Sequence, residues 1–184
     1  MGRRTAQMCT IAESRGLPVS VLRPGNMAGS SVTGVQNPDD LNYLLFQGMI
    51  AAKCAPIFDT NYALDLTPVD FAARAVVHLV VHAPQKAMGQ HFHLQSPQTP
   101  VALAQVAEWL RGMGYAMEGV TRDEWIKRIE DNEKLSSGWL SFEKYFEAST
   151  WLQFGSHRLQ QACADELTCP TLDAQLLKRW FPKL

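Results

Sequence analysis

Apolar and polar positions near the start of the chain change from helix-like to strand-like spacing. Residues 5–15 carry apolar side chains, among them Met8 and Ile11, at helical spacing, and Gly16 follows as a residue that can end a helix. Residues 17–23 are rich in Val and Leu and alternate as a strand does. A helix that leads within two residues into an apolar strand is half of a β-α-β unit. The pattern therefore predicts a parallel sheet.

Further helices and strands follow. Residues 24–38 are rich in Gly, Ser and Thr without periodicity, which predicts a long loop, and such loops inside a domain are usually functional. A helix is predicted from Asp39 to Lys53, and an irregular stretch from Cys54 to Tyr62. The other predicted elements are a strand over 63–67, a helix opening at Pro68, a strand over 91–94, a helix from Thr99 to about Gly112, a helix over 121–133 capped by Thr121 with Glu124, and two or three short helices from Ser141 onward.

Composition limits the class of protein. With 184 residues the chain is one domain or one piece of a larger domain. A formal net charge of -1 argues against nucleic acid as a partner, because phosphate binding needs clustered Lys and Arg. The four cysteines form no C-x-x-C pair, and the longest apolar run, Ala72 to Ala83, is too short and too polar to span a bilayer. We therefore expect a cytoplasmic protein with reduced thiols and no membrane segment.

Several common catalytic and metal-binding motifs are absent from the sequence. It contains no G-x-G-x-x-G turn, no Tyr-x-x-x-Lys pair and no G-x-S-x-G elbow, so we assign no catalytic residue. His78 and His82 lie four residues apart, but no third ligand lies on that helical face. His91 and His93 share one strand face with no better support for a metal. We expect no metal site, and His78 and His82 to be partly exposed helix residues.

Chemistry is best indicated where the predicted strand breaks into the loop at Arg23-Pro24-Gly25. In open parallel α/β sheets, ligands bind at the carboxyl ends of the strands. Pro24 removes one backbone donor, and Gly25 allows close approach to a flat ring. Composition alone leaves open whether this segment is a ligand-binding loop or a polar surface crossover.

A family resemblance narrows these alternatives. The chain resembles the thioester reductases, extended short-chain dehydrogenases that end many nonribosomal peptide and polyketide synthetases and that also occur in carboxylic acid reductases and α-aminoadipate reductase. The segments that carry the resemblance are Arg15–Val19, Arg23–Gly25, Ser30–Asp40, Leu64–Ala75, Phe92–Leu94, Trp109–Tyr115, Trp125 and Cys169–Asp173.

The resemblance implies a fold and an activity. The fold class would be α/β: the C-terminal part of a Rossmann-like domain over residues 1–100, and a mainly helical substrate-binding subdomain over 101–184. The family enzyme uses NADPH to release a phosphopantetheine-tethered acyl thioester of a carrier protein as an aldehyde or alcohol. Its glycine-rich turn and Tyr/Lys pair precede the segments seen here. We therefore expect this chain to need an N-terminal half, in cis or in trans, and to be inactive and without measurable NADPH affinity alone.

The resemblance also implies positions for the site. The residues expected to lie against the nicotinamide are Pro24, Gly25, Asn26 and Met27. Those expected to shape the acyl pocket are Ser31, Thr33 and Gly34. Asp70 is expected to cap a helix rather than touch substrate. The aromatic residues between Trp125 and Trp151 would be core, or alternatively line the pantetheine channel.

Two other functions stay open at this point. One is a non-catalytic module that binds carrier-tethered acyl chains, and the other is a fragment of a sugar-nucleotide epimerase-like enzyme. A sheet that lacks its first strands would expose an edge and an apolar face, so we also expect self-association.

Overall fold

The computed structural model describes residues 2–57, 63–133, 135–136, 154–163 and 166–182. In chain order its elements are α1 (Gly2–Ser14), β1 (Val21–Pro24), β2 (Met27–Ala28), α2 (Leu41–Ala52), β3 (Cys54–Ile57), β4 (Ala63–Leu64), β5 (Thr67–Pro68), α3 (Val69–Val77), a π-helical turn (His78–His82), α4 (Pro84–Ala87), β6 (His91–Leu94), β7 (Val101–Ala102), α5 (Leu103–Gly112), β8 (Glu118–Thr121), α6 (Arg122–Ile129), α7 (His157–Cys163) and α8 (Ala174–Trp180).

The chain divides into two compact units that interleave along the sequence. The first unit comprises Met1–Met27, Leu66–Gln98 and Phe154–Pro170. The second comprises Ala28–Asp65, Thr99–Gln153 and Thr171–Leu184. The predicted division at residue 100 rests on the family resemblance and stays a prediction.

The first unit is built on the parallel pair β1 and β6, in which Leu22 lies beside Phe92 and Arg23 beside His93. Because side chains alternate across a strand, Leu22 and Phe92 share one face of the pair and Arg23 and His93 the other. The first of these faces joins the unit's core. Its buried members are Phe71, Ala75, Leu79, Ala87, Phe92, Leu94, Leu159, Ala162, Cys163 and Cys169.

The second unit combines a parallel pair, β3 with β8, an antiparallel pair, β4 with β7, and helices α2, α5, α6 and α8. Its most deeply buried side chains include Leu45, Phe46, Met49, Val106, Leu110, Trp125, Ile129, Leu177, Trp180 and Phe181. Parallel pairing in both units and the helices around it confirm the predicted α/β class.

Local signals account for several helix ends. Gly16 follows α1 with a φ of +80°, as predicted for a residue that ends a helix. The Asp40 carboxylate caps α2 by accepting from the backbone N–H groups of Asn42 and Tyr43. The Thr121 hydroxyl accepts from the Glu124 N–H at 3.3 Å and caps α6. The predicted helix over 39–53 and the predicted Thr121 cap are therefore confirmed.

Other predicted boundaries were wrong because pairing across the chain decided them. The stretch that begins at Cys54 was predicted to be irregular, yet Cys54–Ile57 forms β3 and pairs with β8. The helix predicted from Thr99 begins at Leu103, because Val101–Ala102 pairs with β4. The strand predicted over 63–67 is divided into β4 and β5.

Further predictions concern individual side chains. His78 is buried, not partly exposed as predicted, because its ring lies against α7. Asp70 lies in the first turn of α3 and makes an ion pair with Arg74 at 3.6 Å. The residue at the N-cap position of α3 is Pro68, which makes no side-chain capping bond. All four cysteines are free, as predicted. The aromatics Trp139, Phe142, Tyr145 and Phe146 lie outside the described residues.

None of the helices in the described part of the chain is long and apolar enough to cross a membrane.

Candidate functional site

The carboxyl end of β1 is open to solvent. The parallel pairing continues one residue past the strand, where the Gly25 N–H donates to the Leu94 carbonyl at 3.1 Å. Pro24 and Gly25 are exposed, whereas Asn26 and Met27 are half-buried. All four predicted cofactor residues thus belong to the first unit; Pro24 is the last residue of β1, and Gly25, Asn26 and Met27 follow it.

A buried threonine joins the segments that follow β1 and β6. The Thr67 backbone N–H donates to the Asn26 carbonyl at 2.8 Å. The Thr67 hydroxyl accepts from the Ser96 N–H at 2.7 Å. Because Thr67 is fully buried, these bonds are shielded from water, and they hold the backbone around Asn26 in place.

The same end of the strand pair carries a positive charge. Arg23 lies beside His93 in register, and the Phe154 ring centroid is 4.7 Å from that of His93. Burial lowers the pKa of His93, and the nearby Arg23 charge lowers it further. The neutral imidazole is therefore favoured, and Arg23 supplies the fixed charge.

In the second unit the Ser/Thr/Gly segment is a tight turn. The Ser30 hydroxyl accepts from the N–H groups of Val32 and Thr33 at 3.2 and 3.1 Å. The Ser30 N–H donates to the Val35 carbonyl, and the Gly34 N–H donates to the Ser30 carbonyl. The Thr33 side chain is exposed at the tip of this turn, with its hydroxyl accepting from the Val35 N–H at 3.3 Å.

Ser31 and Gly34, by contrast, contact α8. Ser31 is buried, and its carbonyl accepts a hydrogen bond from the Arg179 guanidinium. Gly34 has a φ of +75°, and a Cβ there would lie 2.5 Å from the Arg179 carbonyl oxygen. Only glycine meets both requirements. Of the three predicted substrate residues, Thr33 is therefore the one whose side chain projects into solvent.

Sequence reasoning missed two features of the second unit. One is the contact of the turn with Arg179 and Trp180, which lie nearly 150 residues away along the chain and carry no motif. The other is Asp65, whose pKa burial raises to about 6. A lone acid in the otherwise uncharged run 63–68 is the signal that could have identified it.

The described residues contain no group of three or more His, Cys, Asp or Glu side chains that could hold a metal ion.

Comparison with known proteins identifies similar families and folds. Residues 5–76 match the model of an NAD-binding family described as "Male sterility protein". The chain is 35% identical over 124 residues to a linear gramicidin synthase of Brevibacillus parabrevis, and this match covers 67% of the chain. The terminal R domain of the myxalamid PKS-NRPS pathway has 29% sequence identity and a TM-score of 0.77 over 92% of this chain. A thiolation-reductase di-domain from an archaeal non-ribosomal peptide synthetase shares the fold, with 18% identity and a TM-score of 0.74 over 96% of this chain.

The chain spans only part of each of these proteins. It covers 2% of the gramicidin synthase, 44% of the myxalamid R domain chain and 38% of the di-domain chain.

Proposed function

We propose, from the premise that the chain belongs to the thioester reductases of the extended short-chain dehydrogenase/reductase class, that it forms the acyl-receiving part of an NADPH-dependent reductase. Its substrate would be a phosphopantetheine-tethered acyl thioester on a carrier protein. The products would be an aldehyde or alcohol and the free pantetheine thiol. The observation that carries the proposal is the placement of Pro24–Met27 at and directly after the carboxyl end of a parallel strand, the end where ligands of α/β folds bind.

The strand end fits the nicotinamide part of the cofactor. Pro24 and Gly25 are exposed, and the Gln95 side chain lies at van der Waals distance beside Gly25, 3.5 Å from where a Cβ would stand. Thr67 fixes the adjacent Asn26 carbonyl. When bound, NADPH supplies the hydride that reduces the thioester carbonyl carbon. The residues of this chain would orient the flat ring, and the sequence has no G-x-G-x-x-G turn to hold a pyrophosphate.

The Ser/Thr/Gly turn fits an acyl-contacting role. The Ser30 and Ser31 carbonyls are bonded to α8, and Thr33, Val32 and Val35 are exposed. An apolar rim with one hydroxyl matches an acyl chain that ends in a polar thioester. The carrier protein as partner follows from the family and is part of the same proposal.

A titration with an acyl-pantetheine thioester tests this proposal. We expect saturable binding to this chain, and we expect Thr33→Phe to weaken it by about tenfold, because a ring at the exposed tip would block the acyl chain. Thr99→Phe, at another exposed threonine of the second unit, is the control and should bind as wild type does. Absence of acyl-pantetheine binding to the wild-type chain would contradict the proposal.

Cofactor titration separates the acyl-receiving part from a self-sufficient enzyme. We predict no measurable NADPH affinity for this chain alone, because the phosphate-binding turn is absent from its sequence. Tight NADPH binding, or NADPH oxidation in the presence of an acyl-coenzyme A, would contradict this prediction.

The non-catalytic binding module remains the second candidate. The exposed Val32 and Val35 favour it, because they would serve acyl binding without reduction. It is distinguished by adding the rest of a thioester reductase in trans: NADPH-dependent aldehyde formation would support the reductase, and unchanged acyl binding without turnover would support the module.

A further inference from the structure

We infer that Arg179 and Trp180 of α8 are positioning residues that hold the Ser/Thr/Gly turn in the shape that receives the acyl thioester. The inference rests on the proposed function of this turn. It concerns residues far outside the segment that the family model matches, and every contact involved lies within the second unit.

The first contact is made by donors of α8. The Trp180 indole N–H donates to the Ser30 carbonyl at 3.1 Å. The Arg179 guanidinium donates to the Ser31 carbonyl. Two successive carbonyls of the turn are thus bound to two successive side chains of one helix, which fixes both the position and the orientation of that peptide segment.

The second contact is made to the carbonyl end of α8. The last carbonyls of a helix have no partner within the helix. The Gln36 side-chain amide donates to the Trp180 carbonyl at 3.2 Å. The Gly34 backbone packs so closely on the Arg179 carbonyl that no side chain fits between them. The turn and the adjacent Gln36 therefore contact the last carbonyls of α8, and side chains of α8 in return bind the turn.

The helix itself is firmly anchored. The Asp173 carboxylate caps α8 by accepting from the Leu176 N–H at 2.8 Å, and Leu177 is fully buried. Directly after α8, the Phe181 ring stacks on Tyr43 with centroids 5.4 Å apart, and its carbonyl accepts from the Tyr115 hydroxyl at 3.3 Å. A rigid helix can therefore impose one geometry on the turn.

This arrangement explains how an exposed turn can be specific. The Thr33 side chain and the flanking Val32 and Val35 project into solvent, and the Thr33 hydroxyl is restrained by a 3.3 Å bond within the turn itself. The position of these side chains depends on the backbone, and the backbone is held at Ser30, Ser31 and Gly34 by α8. Loss of those bonds is expected to raise the entropic cost of binding, because the turn would have to be ordered by the ligand.

The test compares Arg179→Gln with Arg179→Lys, Trp180→Phe and the control Lys178→Gln in the full chain. Lys178 is exposed one residue earlier on the same helix, so its change removes the same charge without touching the turn. Arg179→Lys retains a donor and serves as the rescue variant. Near-ultraviolet circular dichroism checks that each variant is folded.

Two readouts are combined. Amide hydrogen exchange is followed over residues 30–35, with Leu41–Ala52 as an internal reference. Binding of octanoyl-pantetheine is measured by titration. We expect Arg179→Gln and Trp180→Phe to speed exchange in the turn and weaken binding by about tenfold, the equivalent of one lost hydrogen bond to a charged or buried donor. Exchange in Leu41–Ala52 should stay unchanged, Lys178→Gln should match wild type, and Arg179→Lys should recover part of the affinity.

The outcomes are separable. If wild type binds octanoyl-pantetheine and Arg179→Gln binds equally well, the positioning role is overturned while the proposed function stands. Unchanged exchange in the turn of both variants also overturns it. If wild type does not bind the thioester at all, the proposed function fails and the positioning role fails with it.

Discussion

The surroundings of Asp65 change its pKa. This residue follows β4 and is the only charged residue in the run Ala63 to Pro68. Burial disfavours its ionised form and raises its pKa to about 6. The folded chain therefore binds a proton more tightly at this site than the unfolded chain, whose Asp has a pKa of about 3.9. The contribution of Asp65 to stability is full below about pH 4 and is lost as the pH rises through about 6.

We therefore predict that Asp65→Asn stabilises the chain at neutral pH but not in acid. Discounted for its half-exposed position, the gain is about 1 kcal/mol, which corresponds to about 2–4 °C in Tm. Thermal denaturation at pH 4 and pH 7 measures it. Asp123→Asn, at an exposed position in the first turn of α6, is the control and should give no stabilisation. Equal Tm values for Asp65→Asn and wild type at pH 7 would show that burial of this carboxylate is without cost.

At the scale of elements, His78 joins the π-helical turn to α7. Its Nδ1 lies 3.2 Å from a Glu166 carboxylate oxygen, and its Nε2 lies 3.3 Å from the Ala162 carbonyl. His82, on the same turn, is exposed, although the two ring centroids are 6.0 Å apart. The two histidines, four residues apart on one helical turn, thus have different roles, because only His78 points toward α7.

Substitution of the two histidines should separate these roles. We predict that His78→Ala lowers the free energy of unfolding by about 2–3 kcal/mol, because it opens a cavity and leaves a buried carbonyl without its partner. His82→Ala should change it by less than about 0.5 kcal/mol. Urea denaturation measures both. Similar losses for the two variants would mean that the contact with α7 does not stabilise the first unit.

Elements that could be predicted from the sequence are those whose signals are local. The α2 cap at Asp40, the end of α1 at Gly16 and the strand His91–Leu94 all follow from short-range patterns. The strand Cys54–Ile57 could not be predicted in this way. Its run of buried Cys, Ala and Pro residues resembles loop composition, and it becomes a strand only because β8, more than 60 residues later, pairs with it.

At the scale of the whole molecule, α1 has more apolar surface than a soluble helix needs. Met8 is 69% exposed and Ile11 51%, and Leu17 just beyond the helix is 58% exposed. Burial of such side chains against another surface would be favourable by about 25 cal/mol per Å². We therefore expect self-association to involve the exposed apolar side chains of α1 and Leu17 in the first unit.

We predict that the chain sediments above its monomer mass of 20.5 kDa at micromolar concentrations. The double substitution Met8→Gln with Ile11→Gln should shift it toward the monomer. Val80→Gln removes an equally exposed aliphatic side chain from the π-helical turn and should leave association unchanged. A wild-type monomer with a sharp thermal transition would contradict the prediction.

Family, α/β class and the position of the strand-end segment Arg23–Gly25 were determined by the sequence alone. They depend on local periodicity and on short motifs, which can be identified without knowing which distant residues are in contact. Only the tertiary structure decided that the chain forms two interleaved units, that Ser31 and Gly34 are held by α8 while Thr33 stays exposed, and that His78 is buried. The physical reason is that burial and long-range hydrogen bonds depend on which distant residues meet, and neither composition nor spacing along one segment carries that information.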